Sequence, residues 1–192
     1  AAMYQAKREG KGRRVIRAVG DDEPEQPPDL PARLRSAIDR GWVVPYYQPK
    51  TDLRSGATVG FEALARWIEP GLGVVPPDVF IPIAEGSGLI GRLGAHVLDL
   101  ASATARDWEQ RGHRWDVAVN LSPIQLAEPA VLLAVVQAAL ERHDLGPERL
   151  WLELTESAAM SDLGEGVAAL SELRSWGVRI ALDDFGTGYS PL

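Results

Sequence analysis

Four stretches with strand-like alternation carry a carboxylate or carboxamide at or near their C-terminal ends: Glu62 in GFEALAR, Asn120 in VAVNLS, Glu153 in LWLELTES, and Asp183 with Asp184 in ALDDFGTG. Hard oxygen donors gathered from successive strands are how a fold holds a divalent cation, and a donor set made only of oxygen selects Mg2+ or Mn2+ over zinc or copper. Any one of these acids alone reads more simply as a surface group or a helix cap. Together, buried inside a barrel without a cation, they would cost several kcal/mol per uncompensated charge. The expectation is metal-dependent chemistry on a barrel-type α/β scaffold.

Composition narrows the classes. The chain has 192 residues, 45% hydrophobic and 24% charged, which is ordinary for a soluble globular protein. Twenty Lys and Arg against 27 Asp and Glu leave a net charge of −7, which argues against DNA or RNA polymers as partners. An anionic ligand must then be held by local cations or bound metal. Cys is absent, so disulfides and thiolate metal sites are excluded, and the chain fits a reducing compartment. His96, His113 and His143 lack H-x-x-x-H spacing and read as surface or helix-packing residues. No apolar run is long enough to span a bilayer, and AAMYQAKREGKGRR has no signal region. A cytoplasmic location is expected, with any anchoring to the inner membrane left to upstream segments.

The elements that must position the four stretches follow from periodicity and breakers. Residues 1–16 read as a short helix ending in a basic stretch (Lys7, Arg8, Lys11, Arg13, Arg14) that suits a solvated helix end. The acidic, proline-containing VGDDEPEQPPD reads as a linker. Asp29 is the expected N-cap of a helix through Leu34 and Ile38, with Pro31 in its first turn and Gly41 as its stop. Strands are expected over Val43–Gln48 and Ala57–Ala65, joined by the turn DLRSG. Helices over Leu89–Gln110, Glu128–His143 and Gly164–Trp176 then alternate with strands over Trp115–Leu121, Leu150–Thr155 and Val178–Asp183. Repeated βα units imply a parallel sheet with helices outside it.

Alternate residues of a strand face opposite sides. Leu150, Leu152 and Leu154 should pack on helices, which sends Glu153 inward; Val117, Val119 and Leu121 do the same for Asn120, and Val178, Ile180 and Leu182 for Asp183. In the earlier strand Glu62, Leu64 and Arg66 share a face, so a carboxylate and a guanidinium can address one cavity. Asp183 and Asp184 would point apart in a regular strand, so the chain must turn there if both serve the site. Arg66 reads equally as a surface cation or a phosphate contact. Phe185-Gly186-Thr187-Gly188-Tyr189 matches neither phosphate-loop pattern and reads as a loop over the site. The helix beginning near Glu128 should bury Val131, Leu132, Val135, Val136, Ala139 and Leu140, and the next one Val167, Leu170 and Leu173. Six tryptophans without a repeat read as core packing rather than a base-stacking platform.

The order YYQPKTDLRSG, GFEALARW, FIPIAEGSGLIGRLG, VNLSPIQL, LELTES and GVRIALDDFGTGYS resembles the EAL-domain family of cyclic di-GMP phosphodiesterases, with the name-giving triplet at Glu62-Ala63-Leu64. Six separated motifs in register, over about Gly41 to Leu192, make this a specific match. AAMYQAKREGKGRRV is similar to the last helix and following turn of GGDEF domains, a shorter match. The resemblance divides the chain into a GGDEF remnant over 1–18, a linker over 19–29 and the N-terminal part of an EAL domain over 30–192. It implies an incomplete TIM-type (β/α) barrel in which one strand runs antiparallel.

The same resemblance implies linearisation of cyclic di-GMP to pGpG with two Mg2+ or Mn2+ ions. Glu62, Asn120, Glu153 and Asp183 would be metal ligands, Asp184 would belong to the second metal position, and Gln48 and Arg66 match substrate-contacting positions. Glu156 would anchor the loop that begins at Asp184 and couple the site to a homodimer. The family's catalytic Lys on the next strand, and a later Glu, would lie beyond Leu192, and Pro191 replaces a usual Ser. The barrel is therefore expected to be active in a longer parent and inactive as this piece. Two metals would lower the pKa of a bridging water and clamp the oxygens of an in-line displacement. The rival readings are a silent EAL domain acting as a cyclic di-GMP receptor or protein-interaction module, and a Mg2+-dependent barrel lyase, which has the metal logic without the motif order.

Overall fold

The computed structural model describes residues 29–155 and 165–183. The expected N-terminal helix, most of the linker, Glu156 and the loop from Asp184 lie outside the described residues. Helix α1, Leu30–Asp39, starts where Asp29 accepts a hydrogen bond from the Ala32 N–H at 3.1 Å, with Pro31 in the first turn. Gly41 follows its end at φ +69°, a conformation that suits a residue without Cβ. Leu34, Ala37 and Ile38 go into the core, and Arg33 Nε donates to Glu69 at 2.9 Å, tying the helix to the sheet.

Strands β1 (Val43–Thr51) and β2 (Thr58–Glu69) form an antiparallel hairpin. Its turn is built by Asp52, which accepts from the Ser55 N–H and hydroxyl, both at 2.8 Å, and from the Arg54 N–H at 3.1 Å. The backbone N–H of Ser55, with its hydroxyl, holds the Asp52 carboxyl below the usual carboxylate range. The short β3 (Gly73–Val75) pairs with the C-terminal end of β2. From β2 onward the sheet is parallel through β4 (Asp116–Asn120), β5 (Leu150–Thr155) and β6 (Arg179–Asp183), in the order β1-β2-β4-β5-β6. Apart from the short β3, also antiparallel to β2, one antiparallel strand leading into parallel βα units is the topology expected of an incomplete EAL-type barrel.

Helices cover one face. They are α2 (Pro77–Gly86), α3 (Ile90–Gln110), the single turn α4 (Pro123–Leu126), α5 (Pro129–His143) and α6 (Glu165–Trp176), with a 3-10 turn at Pro147–Arg149. Helix α3 packs on α5, and α5 on α6. Leu150, Leu152 and Leu154, with Val117, Val119 and Val178, are buried in one cluster with Leu93, Val97, Val136 and Leu173. The three histidines also pack: His96 Nε2 meets the Val43 carbonyl, His113 stacks on Trp115, and His143 meets Asp99.

The structure departs from the periodic reading in several places. Strand β1 runs three residues past Gln48, and β2 runs to Glu69. Helices α2 and α4 carry no long apolar period: α2 holds Pro82 within ten residues, and α4 is one turn started by a capping box between Ser122 and Gln125. Val131 and Val167 are exposed because the buried stripes run through Leu132, Val136, Ala139 and Leu140 and through Ala169 and Leu173. Each valine is one residue off its stripe, a rotation of about 100°. Leu182 is exposed as well.

Gly60 shows how closely β2 and β4 approach. A Cβ there would lie 2.6 Å from the Asp116 carbonyl oxygen. Gly60→Ala is therefore expected to destabilise the fold by about 1–3 kcal/mol, the usual cost of overpacking against backbone, in a urea unfolding titration.

Candidate active site

The face of the sheet opposite the helices gathers the polar residues, and strand register sets their spacing. Glu62 on β2 stands opposite Gln48 on β1 and Ala118 on β4, while Asn120 on β4 stands opposite Glu153 on β5. Neighbouring strands lie about 4.8 Å apart, so side chains on one face at these positions meet. The Asn120 amide Nδ2 donates to Glu62 Oε1 at 2.7 Å. Glu153 is only 4% exposed, and Lys50 Nζ donates to its Oε1. The amide of β4 is thus bonded to the acid of β2 and faces the acid of β5 in the register.

Beneath it lies a layer of charge and aromatic surface. The Lys50 ammonium sits 5.8 Å from the centre of the Trp151 ring, and the Arg179 guanidinium 5.2 Å from it. Asp116 accepts from Trp151 Nε1 at 3.1 Å, from Arg179 Nη1 at 2.9 Å and from Arg149 Nε at 3.0 Å. Arg149 is buried and also donates to the Trp115 carbonyl. This charge-paired layer supports the cluster above from below and partners most of the polar groups it buries, although Arg149 Nη1 makes no hydrogen bond and lies 4.0 Å from Glu109 Oε1.

At the other end of the strands, between the C-terminal ends of β2 and β4 and helices α2 and α3, lies a cavity of about 300 Å3. Leu64, Ile81, Leu93 and Val97 give it apolar walls, and Arg66, Glu85, Asn120, Ser122 and Glu153 give it polar ones. Arg66 donates Nη1 to the Ala65 carbonyl at 2.8 Å, with its guanidinium 5.8 Å from the Tyr46 ring centre. Ser122 donates to Glu85 Oε1 at 2.7 Å, joining α2 to the loop after Asn120. A largely apolar cavity with few directed polar groups, reaching Asn120 and Glu153, suits an organic anion bound through a cation.

Of the residues singled out in the sequence, Glu62, Asn120 and Glu153 stand on neighbouring strands with Gln48 opposite Glu62 in the register, and Arg66 lines the cavity that Asn120 and Glu153 also reach. Asp183 ends β6, where its backbone pairs with Thr155, two residues on from the pairing of Glu153 with Ala181. Asp184 and Glu156 lie outside the described residues. Among the described residues, Asp, Glu, His and Cys do not gather in threes, and the described part of the site is two carboxylates and a carboxamide. Sequence reasoning missed Lys50, because it ended β1 at Gln48; alternation carried two residues further puts Lys50 on the face of Gln48. It also placed Trp151 with the core tryptophans, although Trp151 stands on the polar face one step from Glu153.

Residues 32–192 match the EAL domain family. The chain belongs to that family. It is 43% identical over its whole length to MucR of Pseudomonas aeruginosa, a protein named as a bifunctional diguanylate cyclase and cyclic di-GMP phosphodiesterase, and spans 28% of it. It is 36% identical to the signaling protein YkoW of Bacillus subtilis and spans 24% of that protein. Among solved structures, the PaMucR phosphodiesterase in complex with c-di-GMP superposes with a TM-score of 0.78 at 45% identity, over 84% of this chain and 65% of that one. The FimX EAL domain from Pseudomonas aeruginosa bound to c-di-GMP superposes with a TM-score of 0.75 at 26% identity, over 85% of this chain and 65% of that one.

Proposed function

We propose that this chain forms the site of a metal-dependent phosphodiesterase that hydrolyses cyclic di-GMP to pGpG in bacterial second-messenger signalling. The observation that carries the reading is the Glu62–Asn120–Glu153 cluster, an oxygen-only set on three neighbouring strands whose buried carboxylate already takes a cationic partner. The match to a phosphodiesterase solved in complex with c-di-GMP supports the choice of substrate.

The residues fit Mg2+ or Mn2+. Glu62, Asn120, Glu153 and Asp183 would hold one ion, with Asp184 at a second. Bound there, divalent ions supply a hydroxide near neutral pH and neutralise charge building on the phosphodiester. With its Nδ2 donating to Glu62, the Asn120 amide would offer its oxygen to a cation. Arg66 and Gln48 would fix the phosphate and the nucleotide against the cavity wall, with Arg66 setting the orientation of the scissile group. Because pGpG keeps its 5′ phosphate, the bond that breaks is P–O3′; water supplies the new P–O bond, and the departing 3′ oxygen takes a proton. Glu156 would hold the loop that begins at Asp184. A homodimer through this domain, a GGDEF domain upstream in the same protein and a cytoplasmic setting complete the proposal. No helix among the described residues is long and apolar enough to cross a membrane.

The test is turnover of cyclic di-GMP by the intact protein, with the product separated by chromatography. The expected result is pGpG formation that stops with excess EDTA and returns when Mn2+ or Mg2+ is restored. Undiminished turnover in EDTA contradicts the metal reading, and tight binding without turnover favours a receptor.

A further inference from the structure

We propose that Lys50 is a tethered cation that occupies Glu153 until a divalent ion displaces it, and that it thereby sets the metal affinity of the site. This rests on the reading that Glu153 is a metal ligand. The sheet order places β2 and β4 between Lys50 and Glu153, three strand spacings of about 4.8 Å each. A lysine stem does not cross that distance on a flat sheet. The contact exists because the sheet curls and because the positions between are small: Gly60 stands opposite Lys50 in the register, and Ala118 is buried outside the helix-side cluster.

Geometry also provides a place for the displaced ammonium. Trp151 precedes Glu153 by two residues on the same face, and its ring is fixed by the bond from Nε1 to Asp116. Lys50 already lies over that ring, so a short withdrawal from Glu153 keeps it against an aromatic surface. An ammonium and a divalent ion cannot both press on one carboxylate oxygen, because two like charges at contact distance repel. Lys50 therefore lowers the affinity for the ion, and by linkage the ion loosens Lys50.

The experiment measures Mn2+ binding to the intact protein by the loss of the free-ion paramagnetic resonance signal, without turnover. Lys50→Met, which keeps stem length and removes charge, is expected to bind Mn2+ on the order of 10-fold to 100-fold more tightly than wild type, the range over which residues around a metal's ligands tune affinity. Its melting temperature in EDTA is expected to fall, and Mn2+ is expected to raise it by more than in wild type. Lys50→Arg should keep wild-type affinity. If Lys50→Met does not fold, Lys50→Gln carries the same expectation. Affinity that is unchanged or weaker in the neutral variant, or tightened equally in Lys50→Arg, overturns the proposal. Glu153→Gln separates this from the parent reading: loss of binding there with no effect of Lys50→Met sinks only the role of Lys50, whereas Mn2+ binding untouched by Glu153→Gln sinks the metal site itself.

Discussion

Glu153→Gln in the intact protein is expected to lower kcat/KM for cyclic di-GMP by at least about 100-fold, the scale on which loss of one preorganised charge-stabilising group acts. The substitution keeps shape and removes charge. Glu153 is buried on the polar face, directly opposite Asn120 in the register and in contact with Lys50, so a neutral amide there weakens both the cation site and its alignment. The fold should survive: the Lys50 side chain is 42% exposed and can return to water, and such partly exposed pairs contribute only about 0–1 kcal/mol. The checking measurements are steady-state hydrolysis and a thermal melt on the same sample. Full activity with an unchanged melt would remove Glu153 from the site, and with it the central member of the proposed ligand set.

The second large effect is on stability. Asp116→Ala is expected to cost up to about 3–5 kcal/mol in a urea unfolding titration, because it leaves a buried guanidinium with only the Glu109 carboxylate, 4.0 Å from Nη1, as a charged partner. Arg149 carries most of that cost, since it is 6% exposed and Asp116 Oδ1 accepts its Nε. Arg179 contributes less because its side chain is 47% exposed. The indole N–H of Trp151 loses its acceptor at the same time, which frees the ring beneath Lys50. Asp116→Asn keeps an oxygen for one donor and should fall between alanine and wild type. A loss below about 1 kcal/mol for the alanine variant would mean that the layer under the acid cluster is not held by charge pairing.

Much of this arrangement is legible in the order of residues alone. The period of two sends Leu150, Leu152 and Leu154 to the helices and Glu153 to the other face, and the buried cluster bears this out. Asp29, Pro31 and Gly41 mark the first helix to within a residue, because capping and turn chemistry are local. Helices α2 and α4 escape, since a ten-residue helix containing proline and a single turn show too little period to read. Val131 and Val167 mislead because several apolar residues in one stretch do not say how wide the buried stripe is. Lys50 escapes through a strand boundary placed three residues early.

Sequence alone determined which residues could be ligands, which faces they share, and the family to which the order of motifs belongs, because strand alternation and motif order are properties of the chain itself. Only the tertiary structure decided that Lys50 reaches Glu153 across two intervening strands, that Asn120 donates to Glu62, and that Asp116 collects Arg149, Trp151 and Arg179 beneath the site. Those contacts join positions up to 103 residues apart. They depend on the curl of the sheet and the small side chains at Gly60 and Ala118, which no local pattern in the chain encodes.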